Sequence, residues 1–137
     1  LQSAFRTDNK RGGSNTMILR DLVTLIRAEV LCGEDLLDSI DIECAYGADL
    51  MSDVLAFARP GSLLLTGLTN IQIVRTAQML DLPSVVFIRG KKPQEAAVKL
   101  ASQIKMPILV CQMSMFETCG ILFQKGILPC HIPDRGV

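Results

Sequence analysis

At 137 residues the chain is long enough to bury one proper core and too short for two, so a single domain is expected. Hydrophobic residues make up 49% and charged residues 20%, with a mean hydropathy of +0.34, yet no apolar run approaches the length that crosses a bilayer. That excess points to a buried subunit interface rather than a membrane. The formal charge is zero, and three of the fourteen basic residues but only one of the fourteen acidic ones precede Met17, so the body is slightly acidic; without Trp or a basic stripe it offers no footprint for nucleic acid or an anionic membrane surface.

Residues 1–16 are polar, lack an apolar period and contain Gly12-Gly13-Ser14-Asn15, the pattern of a tag or disordered leader ahead of Met17. Ile18, Leu22 and Ile26 then repeat at helical spacing to Arg27, and Glu29 to Cys32 reads as a short strand closed by Gly33. Glu34 to Asp38 is too short and mixed to assign. From Ser39 to Tyr46, Ile40, Ile42, Cys44 and Tyr46 alternate with more polar residues, which predicts one continuous edge or two-faced strand. Asp49 to Ala58 predicts a helix burying Leu50, Val54 and Phe57, with Asp49 as its cap and Arg59-Pro60-Gly61 as its stop.

From Ser62 the chain becomes nearly periodic: Leu63, Val86 and Leu109 are the centres of three apolar runs, 23 residues apart, with one helix in each interval. Strands apolar on both faces and linked through helices belong to a parallel sheet covered on both sides. Asn70 caps the first of the following helices, Pro93 takes the first position of the second, and Ser114-Met115-Phe116-Glu117 opens the third as a capping box that ends at Gly126. The expected fold is therefore α/β, one domain over residues 17–128 with a mainly parallel sheet between helices, followed by a tail over 129–137.

In an open parallel sheet, ligands bind beyond the carboxyl ends of the strands, where loops lead into helix N-termini with unpaired N–H groups. Three such loops exist. One offers Gly67, Thr69 and Asn70, the next Arg89, Gly90, Lys91 and Lys92, and the last Ser114. Glycines permit close backbone approach, the cations oppose charge and the polar side chains orient, so this set suits a phosphate. Neither glycine loop matches GxxxxGK[ST] or GxGxxG, which speaks against kinase-type phosphoryl transfer. The same residues also have plain roles as helix caps, turns and a solvated loop.

The one histidine, His131, stands in a Pro-rich stretch with no acid or base placed to orient it, so no catalytic residue is assigned. Cys32, Cys44, Cys111, Cys119 and Cys130 are odd in number and lack CxxC spacing, which predicts reduced thiols buried as small apolar residues, a cytoplasmic setting, and no metal or other cofactor. Asp49 and Asp53 share a helix face but imply no catalytic dyad.

The stretches Glu29-Val30-Leu31-Cys32-Gly33, Gly47 to Leu55, Thr66 to Gln72, Phe87-Ile88-Arg89-Gly90, Met106-Pro107-Ile108-Leu109 and Met115-Phe116-Glu117-Thr118 together give the chain a layout that resembles the DRTGG domain family. Leu68-Thr69-Asn70 and Arg89-Gly90-Lys91 stand where that family has Asp-Arg-Thr and Thr-Gly-Gly. The resemblance implies a compact α/β unit similar to the N-terminal domain of HPr kinase. Such domains occur within phosphotransacetylases, within CBS-domain pyrophosphatases, and alone, in some cases near iron-hydrogenase genes. It further implies a regulatory, dimer-forming role rather than a catalytic one. Two functions are thus expected of this chain: a self-associating module sensing a nucleotide or other phosphorylated molecule at the glycine loops, or an accessory protein docking a partner enzyme such as an iron hydrogenase without a small ligand.

Overall fold

Three runs apolar on both faces, Leu63–Thr66, Ser84–Phe87 and Ile108–Val110, lie side by side and parallel at the centre of the sheet. A computed structural model describes residues 16–130, and the expected leader up to residue 15 and His131 lie outside the described residues. In chain order the elements are β1 (Met17–Ile18), α1 (Leu19–Leu25), β2 (Glu29–Cys32), a turn of 3-10 helix (Glu34–Leu36), β3 (Asp41–Ile42), β4 (Cys44–Gly47), α2 (Met51–Phe57), β5 (Leu63–Thr66), α3 (Ile71–Met79), β6 (Ser84–Phe87), α4 (Glu95–Gln103), β7 (Ile108–Val110), α5 (Met115–Gln124) and β8 (Leu128–Pro129). The six-stranded sheet runs β2-β7-β6-β5-β4-β8, parallel except for β2, which is antiparallel to β7; β1 and β3 form a separate antiparallel ribbon.

Because side chains alternate along a strand, each central strand feeds two cores. Leu63, Leu65, Val86, Ile88, Leu109 and Cys111 face α1, α5 and the β1/β3 ribbon. Leu64, Val85, Phe87, Ile108 and Val110 face α2, α3 and α4. This is the mainly parallel α/β sheet, covered on both faces, that the sequence predicts. The connections β4–α2–β5, β5–α3–β6 and β6–α4–β7 step across the sheet one strand at a time with their helices on one face. From β7 the chain turns to the other face, and α5 carries it back past three strands to β8, beside β4.

Four helices end with the same hydrogen-bonded exit. The N–H groups of Ala28, Leu82, Met106 and Ile127 donate to the carbonyls of Val23, Ala77, Ala101 and Leu122, five residues back, around a left-handed residue at Arg27, Asp81, Lys105 or Gly126. Three of those left-handed positions hold a residue other than glycine, with φ of 54, 60 and 59°.

Several local expectations are corrected. The strand predicted over Ser39 to Tyr46 is two: β3 pairs with β1, and β4 joins the main sheet. Ile42 packs in the first core and Tyr46 against the second, so the side-chain parity breaks at Glu43, whose carbonyl turns to accept from the Leu128 amide. β4 is not an edge, since β8 pairs along its outer side and Pro129 takes the edge position that suits a residue without an N–H. Pro129 and Cys130, read from the sequence as the start of a tail, thus lie against β4, with the Cys130 amide donating to the Ala45 carbonyl at 3.2 Å. Asp49 does not cap α2, whose N-cap is Leu50 with no side-chain bond. Pro93 precedes α4 by two residues and is buried, while Gln94 takes the cap position.

Candidate functional site

The carboxyl ends of β4, β5, β6 and β7 all open on one rim, and the loops that follow them carry every residue singled out for ligand binding. Asn70 and Ser114 act locally. Asn70 Oδ1 accepts from the Ile73 amide at 3.2 Å at the start of α3, and Ser114 Oγ accepts from the Glu117 amide at 3.2 Å at the start of α5. Both are N-caps of the expected kind.

The two glycine loops spend most of their backbone donors inside the protein. Gly67 N–H donates to Asp49 Oδ1 at 2.6 Å and Leu68 N–H to Thr66 Oγ1 at 3.0 Å. Arg89 and Gly90 have φ of 57 and 65°, a turn closed by Lys91 N–H onto the Ile88 carbonyl at 3.0 Å, and their own amides donate to the Met113 and Cys111 carbonyls at 2.8 Å. β6 and β7 send their helices to opposite faces, the place where open sheets usually part to admit a ligand. Here those two bonds lace that crevice shut. Gly90 suits the position through its φ of +65°, while the movable end of Gln112 would have to give way to a methyl group there, its Oε1 lying 2.6 Å off.

What remains open is on the β5 side. The Thr69 carbonyl accepts from the Gln94 amide at 2.9 Å, tying the start of α4 to this loop, but the amides of Thr69 and Asn70 have no acceptor among the described residues. Arg89 is exposed and reaches over the neighbouring loop: a methyl group on Gly67 would sit 2.7 Å from Arg89 Nη2 and 3.2 Å from Asp49 Oδ1. Glycine therefore makes room for both charged groups. Lys91, two residues beyond Arg89, is exposed. Lys92 turns the other way, with Nζ 3.5 Å from Glu29 Oε1 on β2, so the cations of one loop divide between the two ends of the rim.

The structure thus brings together Gly67, Thr69, Asn70, Arg89 and Gly90, and leaves Lys92 and Ser114 at the flank. Asp49, read from the sequence as a helix cap, and Gln112 and Glu29 were not expected among the binding residues. Asp49 is 18 residues from its partner amide, and no local pattern announces that contact.

A concavity of about 260 Å³ lies on the α5 side and is lined by Tyr46, Leu65, Cys119, Leu122, Phe123 and Cys130 among others. It is largely apolar and separate from the charged rim. Beside it Phe116 and Phe123 of α5 are 89% and 67% exposed. All five cysteines are free thiols, Cys111 and Cys130 buried and the others partly so. Burial, then the neighbouring Cys130, push the Cys44 thiol up to about 11, and burial also raises Cys32 and Cys119. Among the described residues no group of three His, Cys, Asp or Glu is placed to hold a metal ion, and no helix is long and apolar enough to cross a membrane.

No family model matches the chain, and no curated protein matches it. Among solved structures it is similar to the CBS and DRTGG domains of the regulatory region of Clostridium perfringens pyrophosphatase, a structure complexed with its activator, diadenosine tetraphosphate. The TM-score is 0.64 at 16% identity, over 87% of this chain and 52% of that one. The chain thus spans about half of that regulatory region, and at this identity the likeness establishes a shared fold, DRTGG-like in architecture.

Proposed function

We propose that the chain is a non-catalytic regulatory module that senses a nucleotide or other phosphorylated ligand at the rim and self-associates. One observation carries the ligand class: the Arg89 guanidinium stands over Gly67 beside the start of α3, where the Thr69 and Asn70 amides have no acceptor among the described residues. A cation next to free amides at a helix start is the arrangement that binds phosphoryl oxygens. Lys91 adds charge, Gly90 sets the turn that presents Arg89, and Lys92 and Ser114 border the site. The neighbouring fold's complex with a dinucleotide polyphosphate supports the same ligand class. Ligand binding to one arrangement of the module better than another shifts its population and so its contacts.

The test is a thermal-shift panel of ATP, AMP, pyrophosphate and diadenosine tetraphosphate on the wild type and Arg89→Ala. A true ligand at about 100 times its Kd adds about 2.7 kcal/mol of stability, and Arg89→Ala removes most of the response. No response to any compound overturns the proposal. A second function, docking of a partner enzyme, is favoured by the exposed Phe116 and Phe123 on α5. Recovery of one partner by wild type but not by Phe123→Asp, together with a silent ligand panel, selects it.

A further inference from the structure

We propose that Asp49 is a built-in competitor at the rim: its carboxylate occupies the Gly67 amide that a ligand's phosphoryl oxygen takes, and binding requires it to swing away. This rests on the rim being the ligand site. Asp49 is exposed, sits in the loop between β4 and α2, and makes no capping bond to the helix it precedes. Its Oδ1 instead reaches across to Gly67 N at 2.6 Å, and an ionised carboxylate oxygen on a backbone amide is the same kind of acceptor as a phosphoryl oxygen.

The adjacent charge is arranged to favour exchange. Arg89 Nη2 lies over the same glycine, yet among the described residues neither Arg89 nor Asp49 has an ion-pair partner. The guanidinium therefore keeps its charge available beside an amide already holding an anion. A ligand able to meet Arg89, Lys91 and the Thr69 and Asn70 amides together gains enough contacts to displace the carboxylate. A ligand with a single carboxylate only substitutes one such group for another. Asp49 thus raises the contact energy that any ligand must supply at Gly67, and it is Arg89, Lys91 and the Thr69 and Asn70 amides that let a polyanionic phosphoryl ligand supply more of it than a simple carboxylate.

The test is calorimetric titration of inorganic pyrophosphate into the full chain at fixed ionic strength, with Asp49→Ala, Asp49→Asn and the control Asp53→Asn. Asp49→Ala is expected to bind about tenfold tighter than wild type, and Asp49→Asn about threefold, because an Asn oxygen still accepts from Gly67. Asp53→Asn is expected to stay within about twofold, which separates loss of the competitor from loss of a nearby charge. In wild type the Gly67 amide resonance moves at saturation as its acceptor changes. If wild type binds but neither folded Asp49 variant binds tighter, or Asp53→Asn gains as much, or the Gly67 resonance stays fixed, the competitor role is overturned while the rim keeps its ligand. If pyrophosphate binds none of the four proteins, the rim and the competitor are both overturned. Should Asp49→Ala not fold, Asp49→Asn and the Gly67 resonance decide.

Discussion

Gly67 shows how a single missing side chain makes room for two charged groups. Its backbone is not in a left-handed conformation, so what the position needs is space, and the space is taken by the far end of a flexible arginine. Gly67→Ala is therefore expected to cost less than about 1 kcal/mol of stability while displacing Arg89 and weakening phosphate binding. Chemical denaturation and titration of the same variant separate the two effects. Gly33 is the opposite case. Its φ is +81° and a methyl group would lie 2.6 Å from Pro107 Cα, a backbone atom that cannot yield, so Gly33→Ala is expected to cost on the order of 3 kcal/mol with no direct effect at the rim. The glycines were visible in the sequence, but these reasons were not, because each depends on what packs opposite from a distant part of the chain. Asp49 is the clearest example: next to a helix it reads as a cap, and a glycine amide across the rim is the partner it meets.

At the scale of elements, legibility followed how local the determining signal is. The caps at Asn70 and Ser114 are set within three residues, and both were readable. Ser114→Ala and Asn70→Ala are each expected to cost about 1 kcal/mol, measurable by denaturation. Of the four exits that share the left-handed turn, only the one at Gly126 carries a glycine signal, because the equivalent positions hold Arg27, Asp81 and Lys105. There the buried residue that follows, Leu82 or Met106, fixes the exit by packing, which composition does not reveal. Replacing Lys105 by Gly relieves the conformational cost of a side chain at φ 59° and is expected to add up to about 1 kcal/mol, less the entropy Gly brings to the unfolded chain. The strand broken at Glu43 escaped a period-two pattern because the alternation continues across the break while the buried face changes. The doubly apolar central strands, by contrast, were unmistakable. Phe87, fully buried between β5 and β7, is expected to cost about 3–5 kcal/mol when truncated to Ala.

At the scale of the whole molecule, two faces stand out among the described residues: the charged rim and the α5 side with its apolar groove and exposed Phe116 and Phe123. The proposed self-association, if placed at α5 instead of a partner enzyme, predicts a concentration-dependent sedimentation coefficient for wild type that Phe123→Asp abolishes. The stability of the assembled fold also carries a pH signature. The Cys44 thiol is raised from its ordinary 9.0 to about 11, so the folded state holds that proton more tightly than the unfolded chain. Its contribution is fully present below pH 9 and is lost as pH rises toward about 11, a decline that Cys44→Ser should flatten in alkaline denaturation curves.

The central claim is that a phosphorylated ligand binds where the β4, β5 and β6 loops meet. Backbone amide NMR of the full chain titrated with diadenosine tetraphosphate tests it most directly. Shifts concentrated at Gly67 to Asn70 and Arg89 to Lys92, with smaller ones at Gln112 to Ser114, are the predicted result; shifts centred instead on Tyr46, Leu122 and Phe123 of the apolar groove, or none at saturating ligand, would contradict it.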